Sequence, residues 1–193
     1  RGKFANIEFE LGPVDEGEEG LQFIDEVKGG NIPREFIPSV KKGFKTAMQN
    51  GVLAGFTVDN MKVRLIDGSY HPVDSDQLAF EMAAKIGFKV AAKMAKSVLL
   101  EPVMKVEVVT PEEYLGDVTG DLNKRRAILE DVTAKIGYQI VKVKVPLSEM
   151  FGYVTTLRSL TSGRATSSME FNSFRKAPDF VSEEVIKKIK GIF

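Results

Sequence analysis

"MKVEVVTPEEYLGDVTGDLNKRRA", residues 104–127, carries two hydrophobic periods in one run. Met104, Val106 and Val108 alternate with Lys105 and Glu107, the two-residue period of a strand with one buried face. After Thr110 the period lengthens: Tyr114, Val118 and Leu122 recur every fourth residue, which predicts an amphipathic helix. Thr110 reads as its N-cap, Pro111 as its first residue and Glu113 as the return arm of a capping box. Gly116 and Gly120 are poor helix formers and predict close backbone packing on their side. Asp121 and Arg125 have the i,i+4 spacing of an ion pair, worth ~0.3–0.5 kcal/mol.

The same reading extends downstream. A weaker strand falls at residues 128–133. "YQIVKVKVP" (138–146) is a clear strand, with Val141, Val143 and Val145 opposite Lys142 and Lys144. "SEMFGYVTTLRSLTSG" (148–163) is helical, with Met150, Val154 and Leu157 on one face and Gly163 as its stop. "SSMEFNSF" (167–174) is the last strand. The order βαββαβ predicts a four-stranded sheet with two helices on one face, a ferredoxin-like open-faced sandwich. "VSEEVIKKIKGIF" (181–193) adds a short terminal helix whose Val185, Ile186 and Ile189 need covering.

Upstream, a second α+β unit precedes position 98. "NIEFEL" (6–11) alternates Ile7, Phe9 and Leu11 against Asn6, Glu8 and Glu10. "GPVDEGEEG" (12–20) reads as a solvated hairpin tip, since its four acids lack calcium-loop spacing, and "LQFIDEV" (21–27) as the return strand. Phe36, Val40, Phe44, Ala47 and Met48 mark a helix that tolerates Pro38 near its start and stops at Asn50-Gly51. "NMKVRLIDGSYH" (60–71) is a strand ending near Asp67-Gly68. "DSDQLAFEMAAKIGFKVAAKMA" (74–95) is a long helix. Asp74 and Gln77 fit a capping box there, and Leu78, Met82, Ile86, Val90 and Met94 predict its buried stripe.

Composition narrows the chemistry. The chain has 193 residues, 27 basic and 27 acidic side chains, one histidine and no cysteine. Disulfides and thiolate metal sites are excluded, and zinc has almost no ligands to use. The basic and acidic counts are 13 and 14 for residues 1–97, and 14 and 13 for the rest. Neither half is polybasic, so any nucleic-acid contact must come from shape and a few placed groups. No apolar run approaches the ~18 residues of a membrane span. GxxxxGK[ST] is missing, despite Gly29-Gly30. The single histidine, His71, lies in "DGSYHPVDS" (67–75). Ser69 and Ser75 flank it without a third member of a triad. Catalyst, packed core residue and exposed contact all stay open for it. Arg158 and Arg164 flank "SLTSG" at a helix end and are the local candidates for RNA contact; the alternative is two ordinary surface arginines.

Four long stretches resemble one family. "GGNIPREFIPSV", "DGSYHPVDSDQLAFEMAA", "LLEPVMKVEVVTPEEYLGDVTGDLNKRR" and "VPLSEMFGYVTTLRSLTSGRATSSMEF" are similar to the C-terminal part of bacterial elongation factor G. The resemblance implies residues 1–97 as a domain IV-like, tRNA-mimicking arm with a left-handed βαβ crossover. It implies 98–178 as a domain V-like unit, and 179–193 as a helix packing back on the first domain. It implies a ribosomal translocase whose GTP and Mg sites lie in an upstream GTPase domain, with no cofactor, metal or turnover in this fragment. His71, with Tyr70 and Pro72, matches the family's tip. Lys3 stands where the tip loop "GGRGQ" usually has glutamine, and the sequence is expected to begin inside that loop, with an edge strand missing. Arg158 and Ser159 match positions facing the sarcin–ricin loop of ribosomal RNA, and Arg164 matches the "GRA" position. The implied partners are the ribosome, its decoding centre and the tRNA–mRNA pair, met by a cytoplasmic monomer without membrane contact. Ala127, where glycine is common, and "FNSFRKAP" depart from the family and leave a recycling or ribosome-protection paralogue as the alternative. A small-molecule-binding or enzymatic α+β protein is the reading from another class.

Overall fold

The computed structural model describes residues 2–192. They form two compact units: residues up to Val98 together with the segment from Phe180, and Leu99–Asp179.

The first unit is built on three strands, β1 (Asn6–Gly12), β2 (Leu21–Asp25) and β3 (Met61–Ser69), in the order β1-β3-β2. β3 runs antiparallel to β1 and parallel to β2. The expected β1–β2 hairpin is therefore absent: both strands exist, but β3 lies between them. The reason is burial. Met61, Val63 and Leu65 of β3 are almost fully enclosed, whereas β1 and β2 carry half-buried residues suited to edges. The acidic loop between them is tied to the sheet. Asp15 accepts from Lys62 at 2.8 Å and from Gln22 at 2.8 Å, and the Lys62 bond leads the causes that hold its carboxyl below the usual range. β3 ends at Ser69, next to the expected Asp67-Gly68, and pairs Asp67 with Glu8 and Gly68 with Ile7 beyond a bulge that takes up Ile66.

The link from β2 to β3 is a βαβ crossover through α1 (Ile37–Ala47), which a single 3₁₀ turn, Arg34–Phe36, introduces. Pro38 sits in the first turn of α1, where a missing N–H costs nothing. Val40, Phe44 and Met48 are buried as the spacing predicts. α2 (Gln77–Met94) packs against α1 and corrects two expectations. Its N-cap is Asp76, whose carboxylate accepts from the Ala79 N–H at 2.7 Å, not Asp74. Its buried face is Phe80, Ala84, Phe88 and Ala92, while Leu78, Met82, Ile86, Val90 and Met94 are 48–77% exposed. Both sets recur every fourth residue, and a two-residue offset rotates one set about 200° from the other. Periodicity alone could not choose between them. Packing does: two phenylalanines fill the core, each worth roughly 2–3 kcal/mol when buried, and small residues between them allow close approach to the sheet and α1.

In the second unit, β4 (Leu100–Thr110), α3 (Leu115–Lys124), β5 (Ile128–Lys135), β6 (Tyr138–Pro146), α4 (Tyr153–Leu160) and β7 (Thr166–Lys176) follow the predicted βαββαβ order. The sheet order is β5-β6-β4-β7, antiparallel throughout. Val106, Val108, Val141, Val143, Val145, Val118 and Leu122 form its core.

Three local expectations fail there. Thr110 is buried and its hydroxyl donates to the Pro111 carbonyl, so no capping box forms; a 3₁₀ turn, Glu112–Tyr114, opens α3 instead. Gly116 and Gly120 face open space. Tyr153, not Val154, joins Met150 and Leu157 in the core, because the helix starts at Tyr153 after a left-handed Gly152, and Val154 then points outward. The Asp121–Arg125 pair forms as expected, at 2.9 Å. Finally, α5 (Asp179–Lys190) groups with the first unit from Phe180 onward; Val185 and Ile186 are half-buried and Ile189 remains half exposed.

Candidate nucleic-acid interface

Residues 70–76 leave β3 and turn into α2, and this turn is heavily cross-linked. The His71 N–H donates to Ser75 Oγ at 2.8 Å, and the Ser75 N–H returns to the His71 carbonyl at 3.0 Å. The N–H groups of Val73 and Asp74 both point at His71 Nδ1, each at 3.2 Å. With Nδ1 acting as acceptor, the neutral ring carries its proton on Nε2, and the side chain stays 51% exposed. His71 is thus neither core nor triad member. It is an exposed ring in a fixed orientation, with Asp74 Oδ2 3.6 Å from Nδ1 as a counter-charge for the imidazolium form.

The chain's first residues are tied to the same turn. The Phe4 N–H donates to the Asp74 carbonyl at 2.9 Å, and Ser75 Oγ donates to the Phe4 carbonyl at 2.7 Å. Lys3 forms an ion pair with Asp76, the residue that caps α2. Lys3, Tyr70, His71 and Pro72 are therefore brought to one end of the first unit, and all four are exposed. Asp76→Ala should cost ~1 kcal/mol of stability through loss of the cap, read as a shift in the urea midpoint.

In the second unit, α4 carries Arg158 and Ser159 on its exposed face. Gly163, at positive φ, closes the helix by donating to the Arg158 carbonyl at 2.8 Å. The Arg158 guanidinium makes no ion pair among the described residues and is free to meet an anion. Arg164 differs: it pairs with Glu113, and its guanidinium lies 5.8 Å from the Tyr114 ring centre. The base of α4 is held from α3. Arg125 donates to the Glu149 carbonyl at 2.5 Å and to Thr156 Oγ1 at 3.2 Å. Arg126 forks onto Glu101 at 2.8 and 3.0 Å and reaches Glu149 at 3.0 Å. Arg158 thus stands on a helix with a fixed footing.

Sequence reasoning has Ser75 only as a neighbour of His71 and places Asp76 in no role. The available signal is the run "DSD", which offers three possible caps; the backbone selects the last.

The chain is thus a two-domain α+β module, with an anchored histidine turn in one unit and, in the other, a helix-end arginine without an ion pair among the described residues. Residues 1–96 match the family model for elongation factor G, domain IV, and residues 98–185 match that for the elongation factor G C-terminus. The chain belongs to the elongation factor G family. It is 57% identical over 191 residues to elongation factor G of Amoebophilus asiaticus, and 56% over 191 residues to that of Cytophaga hutchinsonii. Each match covers 99% of this chain and 27% of the relative, so the chain spans about a quarter of the length of these proteins. A crystal structure of a Thermus thermophilus protein superposes with a TM-score of 0.82 at 30% identity, covering 98% of this chain and 31% of that one. No helix among the described residues is long and apolar enough to cross a membrane.

Proposed function

We propose that this chain is the ribosome-contacting C-terminal part of a translational GTPase that promotes movement of tRNA and mRNA. In this reading, residues 1–97 are the arm that enters the decoding centre, 98–178 the domain that meets the sarcin–ricin loop, and 179–193 a helix packed on the arm. GTP and Mg belong to an upstream domain, and the parent acts as a cytoplasmic monomer. The observation that carries the proposal is the His71 turn. A half-exposed ring held at Nδ1 by two backbone N–H groups is built to donate through its other nitrogen to an acceptor of fixed position, such as a phosphate or a ribose hydroxyl. Lys3, Tyr70 and Pro72 surround the contact with charge and flat surface. Arg158 supplies a phosphate-binding fork and Ser159 a hydroxyl at the second contact, with Arg164 as a peripheral member that exchanges Glu113 for RNA.

The arm works by steric occupation, so its loss should slow movement rather than chemistry. In the full-length parent, His71→Ala should slow translocation about tenfold, equivalent to ~1.4 kcal/mol, while ribosome-stimulated GTP hydrolysis changes less than about twofold. Arg158→Ala should expose the sarcin–ricin loop to chemical probing. Equal loss of hydrolysis and translocation in His71→Ala would count against a tip role.

A further inference from the structure

We infer that Ser75 is a positioning residue: its hydroxyl joins the His71 turn to the segment carrying Lys3 and sets both for RNA contact. The inference rests on the reading of His71 as an RNA-contacting residue.

The hydroxyl is used in both directions. It accepts the His71 N–H at 2.8 Å and donates to the Phe4 carbonyl at 2.7 Å. The first bond is local, four residues apart, and the second joins segments 71 residues apart in sequence. No other side-chain hydrogen bond at this end, among the described residues, does both. The Phe4 N–H meets a backbone carbonyl, and Lys3 meets Asp76 through flexible, half-exposed side chains; exposed pairs of that kind are worth little. The orientation of the imidazole depends on the same turn. The N–H groups of Val73 and Asp74 reach Nδ1 only while residues 71–75 keep their curvature, and two bonds close that curve: the Ser75 N–H on the His71 carbonyl and the Ser75 hydroxyl on the His71 N–H. Without the hydroxyl, one of the two closures and the tie to Phe4 are gone, the turn is held only by its backbone bond, and the preference for Nδ1 as acceptor weakens. The function needs this geometry, since a contact misplaced by a fraction of an ångström forfeits much of a directional hydrogen bond.

Ser75 is not the helix cap. Asp76 holds that role, so removal of the hydroxyl should leave α2 intact. Thr keeps a hydroxyl at the same position and Ala does not, which gives a rescue pair.

The test has two arms. In the 193-residue chain, His71 is the sole histidine, so its imidazole nitrogens and backbone amide can be followed by NMR without assignment ambiguity. Ser75→Ala should shift the neutral ring from the Nε2–H form toward a mixture and speed His71 amide exchange about fivefold, as loss of a ~1 kcal/mol hydrogen bond requires. Ser75→Thr should keep both near wild type, and thermal melts should confirm that each variant is folded. In the full-length parent, Ser75→Ala should slow translocation about fivefold with GTP hydrolysis unchanged, and Ser75→Thr should restore most of the rate. An unchanged tautomer and amide in Ser75→Ala would overturn the inference. So would a disturbed ring with undiminished translocation, given a slow His71→Ala control. A normal rate in His71→Ala would instead remove the RNA-contact reading itself, leaving the NMR arm to decide whether the hydroxyl anchors the ring.

Discussion

Gly43→Val is expected to cost the first unit about 3 kcal/mol or more, measured by urea unfolding. The position lies inside α1, where glycine is intrinsically about 1 kcal/mol worse than alanine. Propensity alone therefore predicts that replacement should help or do little harm. The packing reverses the sign. A Cβ on Gly43 would run into the Glu81 carbonyl oxygen and stand 2.6 Å from Ala84 Cβ, both on α2. Neither obstacle is the end of a flexible side chain, so α1 and α2 must separate. Separation loosens the contacts of Phe44, Phe80 and Phe88, which are fully buried in the shared core. Overpacking of this kind typically costs about 1–3 kcal/mol, and the β-branched methyls of valine add to the conflict. Gly116→Ala is the matched control: it is also helical but faces open space, so it should raise stability by up to ~1 kcal/mol. If Gly43→Val is neutral while Gly116→Ala stabilises, α1 and α2 are not in the close contact described.

These two glycines show where the sequence is informative and where it is not. The second unit's topology is readable because its two central strands alternate strictly and α3 has a single apolar stripe. Val141, Val143 and Val145 have only one face on which to lie, and they are buried. The first unit is harder for a physical reason. α2 is apolar on two opposite faces, and the choice depends on which face allows close approach, a property of the partner helix. Gly43 meeting Ala84 and Gly87 meeting Phe9 make that approach possible, and Gly68 meeting the Asn6 carbonyl serves the pairing of β3 with β1. Sequence pattern passes over Gly43 and Gly87 and reads Gly68 only as a strand end, whereas it singles out Gly116 and Gly120 for close packing. Glycine identity reports permission for contact, and only the fold decides which permissions are used. Strand order fails similarly: a short acidic loop between two alternating strands looks like a hairpin, and only the greater burial of β3 places it between them.

The candidate site divides along the same line. His71, Tyr70, Pro72 and Lys3 emerge from resemblance, and the fold gathers them at one end of the first unit. What no pattern contains is the set of bonds that fixes them. Ser75 Oγ accepts from the His71 N–H within its own turn and meets the Phe4 carbonyl across 71 residues, and a contact of that separation leaves no periodic trace. Arg125 and Arg126 are similar: one partner, Asp121, lies on the same helix and is predicted by spacing, while Glu149, Thr156 and Glu101 are brought in by the fold.

The footing of α4 also yields the second large effect, at high pH. Tyr153 is buried in the second unit's core, its hydroxyl has no hydrogen-bond partner among the described residues, and the Arg125 guanidinium lies 5.0 Å from its ring centre. Burial, reinforced by the charge of Asp121 and opposed by Arg125, pushes its phenol up to about 12, against about 10 in an unfolded chain. A raised folded value means that the folded state holds the proton more tightly. Its contribution is complete below about pH 10 and is lost progressively as pH rises toward about 12, because the unfolded chain ionises first. A difference of about two pH units corresponds to about 2.7 kcal/mol. Tyr153→Phe should remove this loss. Near pH 7 the variant should match wild type or gain up to ~1 kcal/mol, since the orphaned hydroxyl contributes a desolvation cost without a bond. Between about pH 10 and 12 the gap between the two stability curves should widen in favour of phenylalanine. Urea midpoints measured across that range isolate the effect, because lysines titrate alike in both proteins. Parallel curves would mean that the hydroxyl reaches water or a partner in solution, and that Arg125 grips α4 through Glu149 and Thr156 without closing over the ring.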